Sequence, residues 1–165
     1  MGKFYIIEER ESTLSNNDQR EHGLKFEKSV IGVLEKDGFR TISTSGSGAV
    51  DKGVDFLAVK GQCVFGVQVK ARPLESFDII SGSTITKSAI QDIIEKNPDY
   101  QNMKFVPVLV SGSMVTDSSK SFGNQMGVVV TDWRKVANTL DKVCAEATVG
   151  VSLRSSAEVR EKKKP

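Results

Sequence analysis

Histidine and cysteine are nearly absent. One histidine, His22, and two cysteines, Cys63 and Cys144, stand among 165 residues. That excludes a histidine-rich metal centre, a thiolate zinc site and a disulfide framework. The two cysteines read as small buried hydrophobes, and His22 as a surface or capping residue. Proline is sparse, and no proline-rich linker or internal repeat divides the chain. No apolar run nears the roughly 18–20 residues that a bilayer span needs. The opening MGKFYIIEERES lacks an apolar stretch of the secretory kind. An intracellular protein without membrane attachment is expected, cytoplasm and nucleoid or nucleus being left open. Strong charge of one sign is missing too: the formal net charge is only +2.

What is present suits one domain of ordinary size. The chain is 38% hydrophobic and 27% charged, enough apolar material for a core without staples. The charge is unevenly placed. Residues 151–165 carry five bases and two acids, so the tail holds +3 and the rest −1. Three regions are expected: a polar N-terminal arm over 1–22, a core domain over 23–145 and a basic tail over 146–165. Within the arm, Phe4–Ile7 reads as a short apolar patch suited to an edge strand.

Periodicity predicts a helix over 24–37, where Phe26, Val30, Val33 and Leu34 recur at helical spacing and Gly38 ends the run. A strand is predicted over 39–43, followed by the glycine-rich loop Thr44–Gly53. VDFLAV and CVFGVQVK, 54–59 and 63–70, read as strands joined by the tight turn Lys60-Gly61-Gln62. A second helix is predicted over 83–96, started by Ser83 or Thr84 and stopped before Pro98. Strands follow over 105–110 and 127–130, and Pro107 marks the first of these as an edge or bulged strand. Asp132 caps a last helix whose stripe is Trp133, Val136, Leu140 and Val143, with Trp133 read as core rather than as a stacking platform. The sum is an α/β fold, a mixed sheet with helices on its faces.

The hairpin carries the chemistry. In CVFGVQVK, Gln68 and Lys70 share one face of the strand. A two-residue Gly61-Gln62 turn sets Asp55 opposite Gln68, and a three-residue turn moves the register by one. Either way Asp55, Gln68 and Lys70 converge at one end of the hairpin. An unpaired charge in an apolar hairpin costs several kcal/mol. As a hard-cation site the set makes sense: a carboxylate from Asp55, a side-chain oxygen from Gln68 and the backbone carbonyl of Val69. Lys70 is then placed to orient or help deprotonate an attacking water. Glu27 lies on the stripe of Ile31 and Leu34, an odd place for a carboxylate on a core-facing helix, and it joins the set. Asp51 is a further carboxylate in the preceding loop. The bland alternative is an Asp55–Lys70 salt bridge between strands. Lys52 and Arg72 flank the site as phosphate contacts, and Lys87, on a helix face with Gln91, is a weaker one.

GLKFEKSVIGVLEKDGF, DKGVDFLAV and VFGVQVKAR together resemble the Mrr-like branch of the PD-(D/E)xK restriction-endonuclease superfamily. The carrying motifs are Phe26-Glu27, Gly53-Val54-Asp55 and Gln68-Val69-Lys70. FVPVLVSGSMVT and MGVVVTDWRKVANTL are similar to the strand–crossover–strand–helix that ends such domains. The resemblance runs from about Gly23 to Val143. It implies a restriction-endonuclease-like fold, a central mixed β-sheet flanked by helices, and Mg2+-dependent hydrolysis of nucleic-acid phosphodiesters, with Mn2+ as a substitute. It makes Asp55 the principal metal ligand, Lys70 the group assisting water or stabilising phosphate charge, and Glu27 an auxiliary ligand. Gln68 stands where most of the superfamily has an acid, and the Mrr-like branch shares that swap. DNA is favoured over RNA as substrate, and a homodimer is expected. The absence of a separate recognition segment favours a structure-selective enzyme, similar to junction resolvases, or the nuclease part of a restriction or mobile-element system. The competing readings are a non-catalytic nucleic-acid-binding or assembly module on the same fold, and an RNA-directed nuclease.

Overall fold

The computed structural model describes residues 16–43 and 53–146. The first helix, α1, covers Asn16–Lys36. It begins eight residues before the predicted start, because its first two turns, NNDQREHG, are polar and show no apolar stripe. The helix therefore takes in residues 16–22, which the sequence assigns to an arm. The patch Phe4–Ile7 and residues 147–165 lie outside the described residues. Gly38, at φ 90°, turns the chain out of the helix, as expected.

Five strands follow: β1 (Arg40–Ser43), β2 (Phe56–Lys60), β3 (Cys63–Lys70), β4 (Lys104–Ser111) and β5 (Val129–Asp132). They form one sheet in sequence order, antiparallel from β1 to β3 and parallel from β3 to β5. The second helix, α2 (Ser76–Lys96), crosses from β3 to β4, and α3 (Asp117–Met126) crosses from β4 to β5. A single 3-10 turn, Pro98–Tyr100, leads into β4. The last helix, α4, spans 136–146 in the described residues. Among these residues no helix is long and apolar enough to cross a membrane.

Both faces of the sheet are covered. Val30 and Leu34 from α1 and Val136 and Leu140 from α4 pack on Phe56, Phe65, Val67, Val108 and Val110. On the other face α2 supplies Ile79, Ala89 and Ile93, which meet Leu57, Val64 and Leu109. This alternation explains the continuous burial of FLA in β2 and CVFGV in β3: strands covered on two sides read as apolar runs. Lys60, at the end of β2, ties the layers with bonds to Asp37 O (2.7 Å) and Asp141 Oδ1 (2.7 Å). Cys63 is buried and Cys144 half-buried; burial pushes the Cys63 thiol up to about 11.

Three expectations need correction. The second helix starts at Ser76 rather than Ser83 or Thr84, since Glu75 and Asp78 form a reciprocal capping box there. Pro107 is not on an edge: β4 lies between β3 and β5, and Pro107 pairs with Gly66. The β5 ladder starts only at Val108, which leaves one flank of Pro107 without a strand to miss its N–H. The helix α3 has no counterpart in the periodicity, because DSSKSFGNQM offers only Phe122 and Met126 as large apolar side chains. Its cap is regular: Thr116 Oγ1 accepts from Ser119 N at 3.2 Å.

Candidate active site

The β2–β3 register is the one a two-residue turn demands. Phe56 faces Val67 and Lys60 faces Cys63, with Gly61 at φ 58° in the left-handed region such a turn needs. Continued one step, this register sets Asp55 opposite Gln68. The paired ladder ends at Phe56, and the chain changes course at Asp55. The Asp55 N–H donates to Val67 O at 2.9 Å. Its carboxylate then swings along β3, where Oδ2 accepts the Val69 N–H at 2.8 Å. The side chain thus takes the place of a backbone acceptor on the lane that β2 has left. In an extended strand the N–H and C=O of one residue point the same way. The Val69 carbonyl therefore opens toward the carboxylate it bonds.

Gln68 points to the opposite side of β3 from Val67, toward α2. Gly82 of α2 makes the room: a Cβ at that position would lie 3.1 Å from Gln68 Oε1. The amide of Gln68 fills the volume a side chain would have taken. Lys70 is half-buried at the end of β3, within electrostatic reach of both Asp55 and Asp78. Its carbonyl accepts the Gly112 N–H at 2.8 Å, which fixes the strand end.

Glu27 comes from α1, on the other face of the sheet, and is half-buried. Burial raises its carboxyl above the ordinary value, and the negative charge of Asp55 raises it further, while Lys28 opposes both. Asp55 is raised as well, by burial first, with the Val69 N–H and the Lys70 charge pulling the other way. The two carboxylates feel each other across the end of the hairpin. A desolvated pair of acids with excess negative potential is what a hard cation relieves. Oxygen donors of this kind, carboxylate, amide and carbonyl, are those that a hard cation takes. Among the described residues no group of three or more acids, histidines or cysteines is gathered closely enough to hold a metal ion by itself.

The flanking cations differ in placement. Arg72 grips Asp78 with two bonds, Nη2 to Oδ1 at 2.7 Å and Nη1 to Oδ2 at 2.8 Å. Asp78 also accepts from Glu75 N at 2.8 Å, and the Arg72 guanidinium holds its carboxyl below the ordinary value. Sequence reasoning passed over Asp78, a buried acid in the first turn of an unrecognised part of α2; the signal was its place three residues after Glu75. Arg72 keeps about half its side chain exposed beyond that fork. Lys52 and Asp51 lie outside the described residues, and the side chain of Lys87 is outside them too. The position of Lys87 falls within α2. His22 is not a capping residue but an exposed member of α1. Trp133 is half-buried, packed on the core with one side and open on the other.

No curated protein matches the chain. A family model described as restriction endonuclease, of the Mrr catalytic type, matches residues 19–140. That span takes in all five strands, the crossover helices α2 and α3, and the segments bearing Glu27, Asp55, Gln68 and Lys70. With the sheet order and the hairpin geometry above, the chain belongs to the Mrr-type restriction endonuclease family and has the restriction-endonuclease-like fold.

Proposed function

We propose that the protein is a divalent-cation-dependent endonuclease that hydrolyses DNA phosphodiester bonds. The observation that carries this reading is the end of the β2–β3 hairpin. There Asp55 accepts the Val69 N–H, between Gln68 and Lys70 on β3. Asp55, Glu27, the Gln68 side-chain oxygen and the Val69 carbonyl would hold the cation, Mg2+ or Mn2+. When bound, the cation supplies Lewis-acid charge at the scissile phosphate.

The chain's own groups do the rest. The Asp55–Val69 bond keeps the carboxylate in one rotamer, so the site is formed before substrate arrives. Lys70 carries positive charge to the phosphate and offsets the charge that builds there in the transition state. Its ammonium also orients the attacking water. Gln68 supplies an oxygen without a charge, which leaves the site one negative charge short of the usual acid at that position. Affinity for the cation is correspondingly weaker, and substrate phosphate contributes more of the binding. Arg72, steadied by Asp78, contacts the DNA backbone together with Lys52 and Lys87. A homodimer belongs to the same reading and is checked by sedimentation over a range of concentrations.

The test is a cleavage panel of duplex, four-way junction, flap and single-stranded DNA, plus RNA, each with and without Mg2+ or Mn2+. Cleavage of a branched DNA that needs the cation supports the reading. Cation-independent cleavage, or none on any DNA, counts against it.

A further inference from the structure

Beside the proposed catalytic end runs a feature that the hydrolysis itself does not use. The carboxyl ends of β3, β4 and β5 are followed by Ala71, Gly112 and Trp133. These three residues, with His22, Phe26 and Ser29 of α1, line a groove of about 310 Å3. A second groove, about 390 Å3, shares Gly112 and Trp133 with the first and is lined also by Met114 and Arg134 among others. Trp133 and Gly112 thus border both openings. The Arg134 guanidinium lies 5.4 Å from its ring centre. Asp132 also borders the second groove, but it is buried and its Oδ1 is turned inward to cap α4, accepting from Arg134 N (3.0 Å) and Lys135 N (3.2 Å).

Two residues lining the first groove are chain neighbours of the candidate site: Ala71 follows Lys70 and Phe26 precedes Glu27. Ligands of open α/β sheets sit outside the carboxyl ends of the strands, where these openings lie. Their size is at the low end for small-molecule sites, about 300–1,000 Å3, room for one flat group rather than a chain of them. An aromatic wall backed by a guanidinium matches the π face of a base and the charge of its phosphate.

We propose that this pair of grooves binds an unpaired nucleotide next to the scissile phosphate, its base stacked on Trp133 and its phosphate near Arg134. This rests on the nuclease reading for its substrate and adds the class: DNA with unpaired bases at or beside the cut.

Trp133 is the single tryptophan of the chain, so its fluorescence reports the stack directly. The full-length protein is titrated with oligothymidylate and with a blunt duplex hairpin of equal length, in Ca2+ to limit turnover. Strong quenching by the single strand and little by the duplex supports the proposal. Unchanged emission with saturating single strand, or equal quenching by both, overturns it. Trp133→Phe and Arg134→Ala, each checked for folding by circular dichroism, should weaken single-strand binding by about 5- to 100-fold, the range seen for lost base stacking. Duplex binding should change less than threefold. Equal losses on both DNAs overturn the proposal. Asp55→Ala separates the two readings. Quenching that survives in this variant supports the stacking site whatever becomes of cleavage. Wild-type protein that cuts DNA without any quenching keeps the nuclease reading and removes this one.

Discussion

At the scale of single residues the site is under electrostatic tension. Asp55 and Glu27 are both raised above ordinary carboxyl values, chiefly by burial, and Asp55 adds to the rise of Glu27. A raised folded-state value means that the proton is bound more tightly in the folded protein than in the unfolded chain. The stabilising effect is present in full below the unfolded values, about 4, and is lost as pH rises through the raised ones. At neutral pH the two acids therefore weaken the metal-free fold. Removing the charge of Asp55 while keeping its acceptor for Val69 N should relieve that. Asp55→Asn is expected to raise the melting temperature by roughly 2–4 °C, the size of a ~1 kcal/mol effect in a domain this long. Added Mg2+ or Mn2+ should raise the melting temperature of the wild-type protein and leave Asp55→Asn unmoved, as read by calorimetry. The same shift sets the pH response. On acidification the cation-induced stabilisation should fade at a pH above the ordinary aspartate range, because the acids protonate early. Asp78 behaves in the opposite sense. The Arg72 fork lowers its value, so its contribution holds above the unfolded value and is lost only as pH falls through the lowered one.

At the scale of elements, two contacts of α2 shape the site. Asp78 joins the start of the helix to Arg72, just beyond β3. Asp78→Asn removes the charge and one of the two acceptors of the Arg72 fork, and should cost about 1–3 kcal/mol in urea denaturation. Gly82 lets the helix pass close to Gln68. Gly82→Ala gains helix propensity, about 1 kcal/mol, against a contact of 3.1 Å with the far end of a flexible side chain. Stability should therefore change by less than about 1 kcal/mol, while the displaced Gln68 oxygen lowers cleavage several-fold. How much of this was legible in the sequence follows from the same contacts. The hairpin was readable because strand alternation and the Gly61-Gln62 turn fix one register, from Phe56 opposite Val67 to Lys60 opposite Cys63. The way Asp55 swings along the strand to Val69 was not, since alternation alone has it standing off the sheet. The first turns of α1 and the whole of α3 escaped notice because their polar residues leave no apolar period, and the start of α2 because it is set by the Glu75–Asp78 capping box. Trp133 fits the stripe of α4, yet it begins the turn before that helix and faces outward on one side, which periodicity does not encode.

At the scale of the molecule, weak net charge and nucleic-acid chemistry are reconciled by where the charges sit. The body is close to neutral, and in the proposed reading a cation at the hairpin end offsets the repulsion between its acids and a phosphate. The grooves at the carboxyl ends of the strands offer the Trp133 ring and the Arg134 guanidinium. DNA binding should therefore be salt-sensitive and strengthened by the divalent ion, and loss of residues 151–165 should remove only part of it, as measured by titration over a salt series. Complete loss of affinity on that truncation would make the tail, not the core, the binding element.

The most direct test of the central claim is cleavage of a four-way junction in Mg2+ by the wild-type protein, Asp55→Ala and Lys70→Ala, each shown to be folded by its melting curve. The expected result is cation-dependent cutting by the wild-type protein and a loss of at least ~100-fold in both variants, the scale on which removal of a charge-stabilising group is felt. Full activity in either variant would contradict the assignment of the hairpin end as the catalytic centre.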